Sequence, residues 1–214
     1  MADHTATDTG HDHTPGVFQK DEKVHGYYHV LGLALKELLI EKDVVTAEEV
    51  REAIELRDAI SPATGAQVVA RSWSDPDFHL RLMADANTAV TEFGINMGST
   101  VLVAVENTPE VHNAIVCTLC SCYPRALLGL PPSWYKSRDY RSRVVREPRA
   151  VLAEFGTALA DGVEVRVHDS TADMRYLVVP MRPEGTENLS EQELAALVTR
   201  DCMIGVAVPN APQT

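Results

Sequence analysis

Three of the 4 cysteines in this chain fall within one short run, Cys117-Thr118-Leu119-Cys120-Ser121-Cys122. A C-x-x-C-x-C spacing lets three sulfurs converge on one centre from a single loop. When Cys120 and Cys122 hold the same ion, the backbone amides of Ser121 and Cys122 lie on one side and can join as ligands once deprotonated. Removing a proton from a peptide nitrogen takes a strongly Lewis-acidic ion, such as a trivalent transition metal, because bound metal sharply lowers ligand pKa values. The stretch therefore reads as a claw of thiolate and amide donors. Two plainer readings compete with it. Free cysteine often serves as a small buried hydrophobe, yet such clustering is a poor use of so rare a residue for packing. A structural zinc site needs a second ligand pair, and only Cys202 follows, far downstream. Beside the apolar Met203-Ile204-Gly205-Val206, Cys202 is expected to be a core thiol.

The rest of the sequence bounds where such a claw can sit. At 214 residues the chain has room for one substantial domain and an appended arm. A net charge of −12 argues against a nucleic-acid partner. No apolar run reaches the roughly 18 residues that a membrane span requires. The N-terminus carries Asp and His in place of a basic and then apolar leader, so no signal peptide is expected. Cytoplasmic residence follows as the expectation, where thiols stay reduced and a cysteine cluster binds metal in preference to forming disulfides.

In chain order, residues 1–16 are rich in Asp, Thr, His and Gly and read as a disordered tail. Within it His4, His11 and His13 are weak metal-capture candidates, and a solvated tail is the plainer reading. Residues 17–60 read as a helical arm for subunit contact. Val30, Leu31, Leu33, Ala34, Leu38 and Leu39 mark an amphipathic helix from Tyr27 to Lys42. Thr46-Ala47-Glu48-Glu49 is a capping box that opens a second helix, to about Asp58. Residues 61–214 read as the metal-binding domain. Pro62 starts a third helix, and Ser74-Asp75-Pro76-Asp77 opens a fourth that should run through Phe78, Leu82 and Val90 to Gly94. Thr100 to Glu106 suits a buried strand, and Ala114-Ile115-Val116 delivers the chain into the claw. Pro148 to Phe155 suggests a short helix closed by Gly156. Val163 to Asp169 alternates as a half-buried strand, with Arg175 to Pro180 its expected partner across the turn at Ser170-Thr171-Ala172. Ser190-Glu191-Gln192-Glu193 is a second capping box, with Leu189 and Leu194 as its staple, and that helix should end near Arg200. The fold class expected is α+β: the N-terminal helical arm, then a layered α/β/β/α-type metal-binding domain. His112 and His168 lack ligand spacing and read as structural.

The segment from Val116 to Tyr123, with Leu128-Gly129-Leu130-Pro131-Pro132-Ser133-Trp134-Tyr135-Lys136-Ser137 and Tyr140-Arg141-Ser142-Arg143-Val144-Val145, resembles the metal-carrying α subunit of the nitrile hydratase family. A close relative is the metal-carrying (γ) subunit of thiocyanate hydrolase. The resemblance runs from about Val68 to Pro209. It implies a non-corrin Co(III) or, less favoured, Fe(III), with Cys117, Cys120, Ser121 and Cys122 as ligand residues. Threonine after the first cysteine, here Thr118, goes with cobalt. It also implies that Cys120 is oxidised to a sulfinic acid and Cys122 to a sulfenic acid, leaving one metal position open for chemistry. The implied reaction is hydration of a small nitrile to the amide, a hydro-lyase activity, with Cys122, Cys120 and Ser121 catalytic. Implied partners are a β-type subunit, as one chain or split in two, and a maturation or activator protein. Asp169, Asp173 and Arg175 match the family's D-x-x-x-[DE]-x-R element and are candidates for orienting the claw; a plain ion pair at the strand turn is the alternative.

Two departures bear on substrate. Arg125 stands at or near a position where many nitrile hydratases carry tryptophan, and arginine there resembles thiocyanate hydrolase and the nitrile hydratases with a split second subunit. An arginine at the pocket favours an anionic or polar substrate. The loop Asn96-Met97-Gly98-Ser99 also lacks the glutamine that several members carry. The reading adopted is a cobalt nitrile hydratase α subunit, with the thiocyanate hydrolase γ subunit as alternative. A metal-carrier or redox-sensing protein is the alternative from another class.

Overall fold

The computed structural model describes residues 26–211. The expected tail (1–16), its three histidines and the first part of the arm (17–25) lie outside the described residues. The described part of the expected arm contains α1 (Tyr27–Glu41) and α2 (Ala47–Asp58). Thr46 caps α2 as its sequence requires: its hydroxyl accepts from the Glu49 amide while the Glu49 carboxylate accepts from the Thr46 amide. Neither helix has a buried residue.

Burial begins at α3 (Pro62–Ser74), where Ser61 is the cap and Pro62 occupies the first turn. Val68, Val69 and Ala70 are fully buried on it. Asp75 then caps α4 (Pro76–Ala84). The single fourth helix expected from the sequence is instead two. Asp85 adopts non-helical backbone, ends α4, and caps α5 (Ala86–Val90) by accepting from the Thr88 amide and hydroxyl. An aspartate side chain competes for nearby amides and so starts a helix more readily than it continues one. A 3-10 turn follows, closed by Gly94 in the left-handed conformation.

Strands β1 (Val101–Glu106) and β2 (Val111–Val116) are joined by a tight turn but do not pair with each other. β3 (Glu164–Asp169) pairs parallel with β2, and β4 (Met174–Val179) pairs parallel with β1. This overturns the expected β3–β4 partnership. The turn forms, with the Thr171 amide donating to the Met174 carbonyl, but it carries the chain from one two-stranded sheet to the other. The reason lies in the faces. Leu177, Val178 and Val179 are consecutive and buried, so β4 needs cover on both sides, as parallel strands do. It packs between α10 (Arg200–Ile204) and β2. β3 is half-exposed along its length and lies against α8 instead. β1 is likewise buried on one face only.

Helices α4, α5 and α10 lie against the β1–β4 sheet, and α8 (Pro148–Glu154) lies against β3. Helices therefore flank both sheets, in agreement with the expected α+β layering. Short helices α6 (Arg125–Leu128) and α7 (Arg138–Arg143) follow the claw. The last expected helix also divides. α9 (Glu191–Leu197) ends where Val198 turns extended, and Thr199 caps α10 by accepting from the Cys202 amide. Cys202 is fully buried, as expected. At Gly205, which ends α10 with φ +89°, a β-carbon would lie inside the Asn113 carbonyl oxygen on β2. That close approach docks α10 onto the strand that leads to the claw.

Candidate metal centre

Strand β2 is the platform. Ala114, Ile115 and Val116 are fully buried and Cys117 is 1% exposed, so the first claw residue is fixed by the core. The loop then turns outward: Thr118, Leu119, Cys120 and Ser121 are exposed and Cys122 is half-buried. The Sγ atoms of Cys117 and Cys120 are 3.4 Å apart and those of Cys120 and Cys122 are 3.2 Å apart. All three sulfurs lie within 4.8 Å of one another. No second His, Cys, Asp or Glu cluster of this convergence occurs among the described residues.

The electrostatics are shared across the three sulfurs. Hydrogen bonds from the Cys122 and Cys117 thiols bring the Cys120 thiol down to about 7, with smaller help from the backbone of Ser121 and Cys122. Burial, followed by the neighbouring sulfurs, pushes Cys122 up to about 12, against the opposing pull of the Arg175 charge. One sulfur therefore ionises first and its neighbours hydrogen-bond to it. A cation among the sulfurs would favour further ionisation of so tight a group, which suits a soft-donor metal site.

Three side chains from outside the loop hold it, and a fourth holds the strand that leads into it. The Asp169 carboxylate, at the end of β3, accepts from the Thr118 amide at 2.9 Å and from the Thr118 hydroxyl at 2.6 Å. The Tyr135 hydroxyl donates to the Cys122 carbonyl at 2.8 Å, and Arg141 Nη1 donates to the Cys120 carbonyl at 3.0 Å. Tyr140, beneath them, donates to the Ile115 carbonyl at 2.7 Å. Tyr135 and Tyr140 are fully buried and stack with Trp134 and Phe155 in an aromatic cluster. Burial raises both phenol pKa values well above their ordinary value, so both remain hydrogen-bond donors.

Of the three residues expected to orient the claw, only Asp169 hydrogen-bonds to it. Arg175 reaches Cys122 through its charge, while its guanidinium donates to the carbonyls of Thr171, Ala172 and Met174. Asp173 is exposed, and the bonds it forms are made by its backbone, to Val101 and Thr171. Arg125 is exposed at the start of α6 and, with Arg57, Ile60, Ala126 and Gly129, lines a cleft of about 280 Å³. Tyr135 and Arg141 went unassigned in the sequence. They sit in the Trp-Tyr-Lys-Ser and Tyr-Arg-Ser-Arg runs that carry the resemblance, but contact with a carbonyl far along the chain leaves no local pattern.

The family model described as "Nitrile hydratase, alpha chain" matches residues 27–207. The chain belongs to the nitrile hydratase alpha-chain family. The match begins at the first residue of α1, so it takes in the arm as well as the domain. The low-molecular weight cobalt-containing nitrile hydratase subunit alpha of Rhodococcus rhodochrous is 49% identical over 181 residues, covering 84% of this chain and 87% of that one. The thiocyanate hydrolase subunit gamma of Thiobacillus thioparus is 43% identical over 194 residues, covering 85% and 80%. Among solved structures, a double mutant of the Fe-type nitrile hydratase from Comamonas testosteroni Ni1 superposes with a TM-score of 0.80 at 41% identity, covering 86% of this chain and 91% of that one. The chain is thus an enzyme subunit of the nitrile hydratase family with a convergent cysteine triad, and the carrier or sensor reading gives way to it. No described helix is long and apolar enough to cross a membrane.

Proposed function

We propose that this chain is the metal-bearing subunit of a cobalt nitrile hydratase, acting in the cytoplasm on a small nitrile. The observation that carries the reading is the convergence of three sulfurs on a loop clasped at Thr118. Cys117, Cys120 and Cys122, with the amides of Ser121 and Cys122, would hold the ion. Cobalt is favoured over iron by Thr118 and by the cobalt-containing relatives. When bound, the ion supplies Lewis acidity toward the nitrile or a water molecule.

The protein's own part begins with oxidation by an external peroxide-class oxidant, one equivalent taking a thiol to the sulfenic acid and two to the sulfinic acid, each equivalent leaving as water. Exposure ranks the sulfurs: Cys117 is buried, whereas Cys120 and Cys122 are reachable from solvent, and oxidation follows thiolate character and access. Cys120 as sulfinate and Cys122 as sulfenate, with Cys117 left as thiolate, fits that order. The sulfenate oxygen of Cys122 is then a nucleophile, or a base that takes a proton from water. In the net reaction the water oxygen bonds to the nitrile carbon, and nitrogen gains both protons to give the amide. Ser121, exposed beside the sulfurs, offers a hydroxyl to the reacting group. Asp169, Tyr135 and Arg141 keep the loop in place, and Arg175 adds positive charge near Cys122. Asp173 completes the family element without reaching the loop.

A β-type subunit, single or split, is the expected partner, since the relatives are named as alpha and gamma subunits. The arm, residues 17–60, is proposed to embrace it, and an activator protein is proposed to load the metal. The thiocyanate hydrolase reading is supported by one specific feature: Arg125 is exposed, just past Cys122, and makes no ion pair among the described residues. The deciding experiment is to assay the assembled enzyme on a nitrile panel and on thiocyanate, with metal analysis and mass spectrometry of the Cys117–Cys122 peptide. Cobalt, added oxygen on that peptide and amide production support the proposal. Zinc, an unmodified peptide in active enzyme, or turnover retained by Cys122→Ala would refute it. Replacing Arg125 by Trp should move preference toward apolar nitriles, and an unchanged profile would remove Arg125 from the pocket.

A further inference from the structure

A second cavity, of about 450 Å³, opens at the other end of the sheets from the claw. His112, at the start of β2, lines it, whereas Cys117 follows the end of that strand. At the usual rise of an extended chain the two sites are separated by roughly 16 Å. The cavity's walls are apolar, from Leu159, Val163, Met181 and Val208 among others.

Its floor is Asn107 and His112, 7% and 5% exposed. The two are internally satisfied. His112 Nε2 pairs with the Gly205 carbonyl at 2.8 Å, and its Nδ1 meets Asn107 Nδ2 at 3.3 Å. Asn107 Oδ1 accepts from the Asn113 amide and side chain, and Asn113 Oδ1 pairs with His168 Nε2 at 2.8 Å. A floor whose polar atoms already have partners offers a ligand mainly surface to pack on, as preformed small-molecule sites do.

The rim differs. Arg182 spends its N–H groups on the Trp73 carbonyl and on the hydroxyl and carbonyl of Thr186, which leaves two of the guanidinium's five donors. No carboxylate pairs with it among the described residues. Glu184, on the same rim, makes no hydrogen bond or ion pair among the described residues and can only accept. An anion would gain at Arg182 and lose at Glu184, and a cation the reverse. A neutral group with a donor beside an acceptor satisfies both.

We propose that this cavity is a second small-molecule site for a neutral primary carboxamide with an apolar body, its carbonyl toward Arg182 and its NH₂ toward Glu184. The assignment follows from the lining alone; that such an amide is also the enzyme's product rests on the function proposed above.

The test uses the assembled enzyme with ¹³C-methyl methionine, assigning the Met181 signal by Met181→Leu. Titration with benzamide should shift that methyl saturably, and benzoate and benzylammonium should bind about tenfold more weakly, the scale of one lost charge-assisted hydrogen bond. Val163→Trp, which fills the cavity from its wall, should abolish the shift. Exposed Glu184→Leu should weaken benzamide by about tenfold without disturbing the fold. A Met181 methyl indifferent to benzamide, a shift that survives Val163→Trp, or equal binding of benzoate would overturn the proposal. So would a Met181 environment already filled by the partner subunit. Benzamide bound here by an enzyme inactive on nitriles would sink the functional reading and keep this one.

Discussion

Helices α2 and α3 follow each other in the chain, obey the same rules and meet opposite fates. α2 has a complete capping box and an Arg51 that bonds to both Glu48 and Glu55, yet buries nothing. α3 has a weaker cap at Ser61 and buries much of its length. Surface ion pairs such as those of Arg51 add little to stability, so α2 is a helix by local preference and α3 is one that the core also requires. The contrast extends across the molecule. In α1, Tyr27 and Tyr28 are 73% and 84% exposed, with Leu31, Leu33 and Leu35 near half. Around the claw, Tyr135, Tyr140 and Ile115 are fully buried. A helix is decided locally, while its destination depends on which apolar faces are available. The open apolar stripe on α1 is what supports the partner contact proposed for these helices.

The same substitution in the two regions should have opposite signs. Gly205→Ala places a methyl group against the Asn113 backbone at a positive φ, and should cost on the order of 3 kcal/mol or more, seen as a lower denaturation midpoint. A wild-type midpoint would mean that α10 does not dock on β2 as described. Next in size, Tyr135→Phe leaves the Cys122 carbonyl without its donor, for about 1–2 kcal/mol. It should also speed metal loss to a chelator; unchanged metal retention would demote Tyr135 to packing. In the arm, Gly32→Ala meets nothing within 4 Å. It should add up to about 1 kcal/mol of helix stability, raising helicity while the core's midpoint stays put. A matching rise in that midpoint would show that the arm and core unfold together.

A weaker handle is pH. Burial holds His112 below its ordinary value of 6.5, and burial with the Arg166 charge does the same for His168. Both are neutral in the fold and take up protons on unfolding. Their contribution is therefore fully present above that ordinary value and is lost as pH falls through the lower folded-state values. Denaturant titrations from pH 8 to pH 5 should show core stability falling on acidification, and His112→Gln should flatten the slope. Stability that rises with acid would contradict the buried network.

What could be read in advance was local. The claw, the boxes at Thr46 and Ser190, Pro62, and the glycine stops at Gly94 and Gly156 each act within a few residues, and the structure places them where the sequence did. Asp85 is also local but ambiguous: inside an apolar helical rhythm an aspartate can ride the exposed face or cap a new helix, and here it caps α5. Val198-Thr199 divides the last helix in the same way. The strand pairing could not be read, because a turn at Ser170-Thr171-Ala172 serves a hairpin and a crossover equally well, and only the buried run Leu177-Val178-Val179 hinted at cover on both faces. At the site, Asp169 was legible through a spaced motif. Tyr135 and Arg141 were not, since each reaches a carbonyl that any residue would present.

The register of β2 and β3 sets Val116 opposite Asp169, and from there the carboxylate grips Thr118. Successive side chains on a strand point to opposite faces. Inserting a single residue into either strand would turn Asp169 away and release the first bend of the loop with no change to any cysteine. Inserting two would restore the direction but overshoot by roughly 7 Å. The metal loop is in effect measured by a ruler of fixed length lying outside it, and a length change well away from the sulfurs should cripple loading as surely as losing one of them.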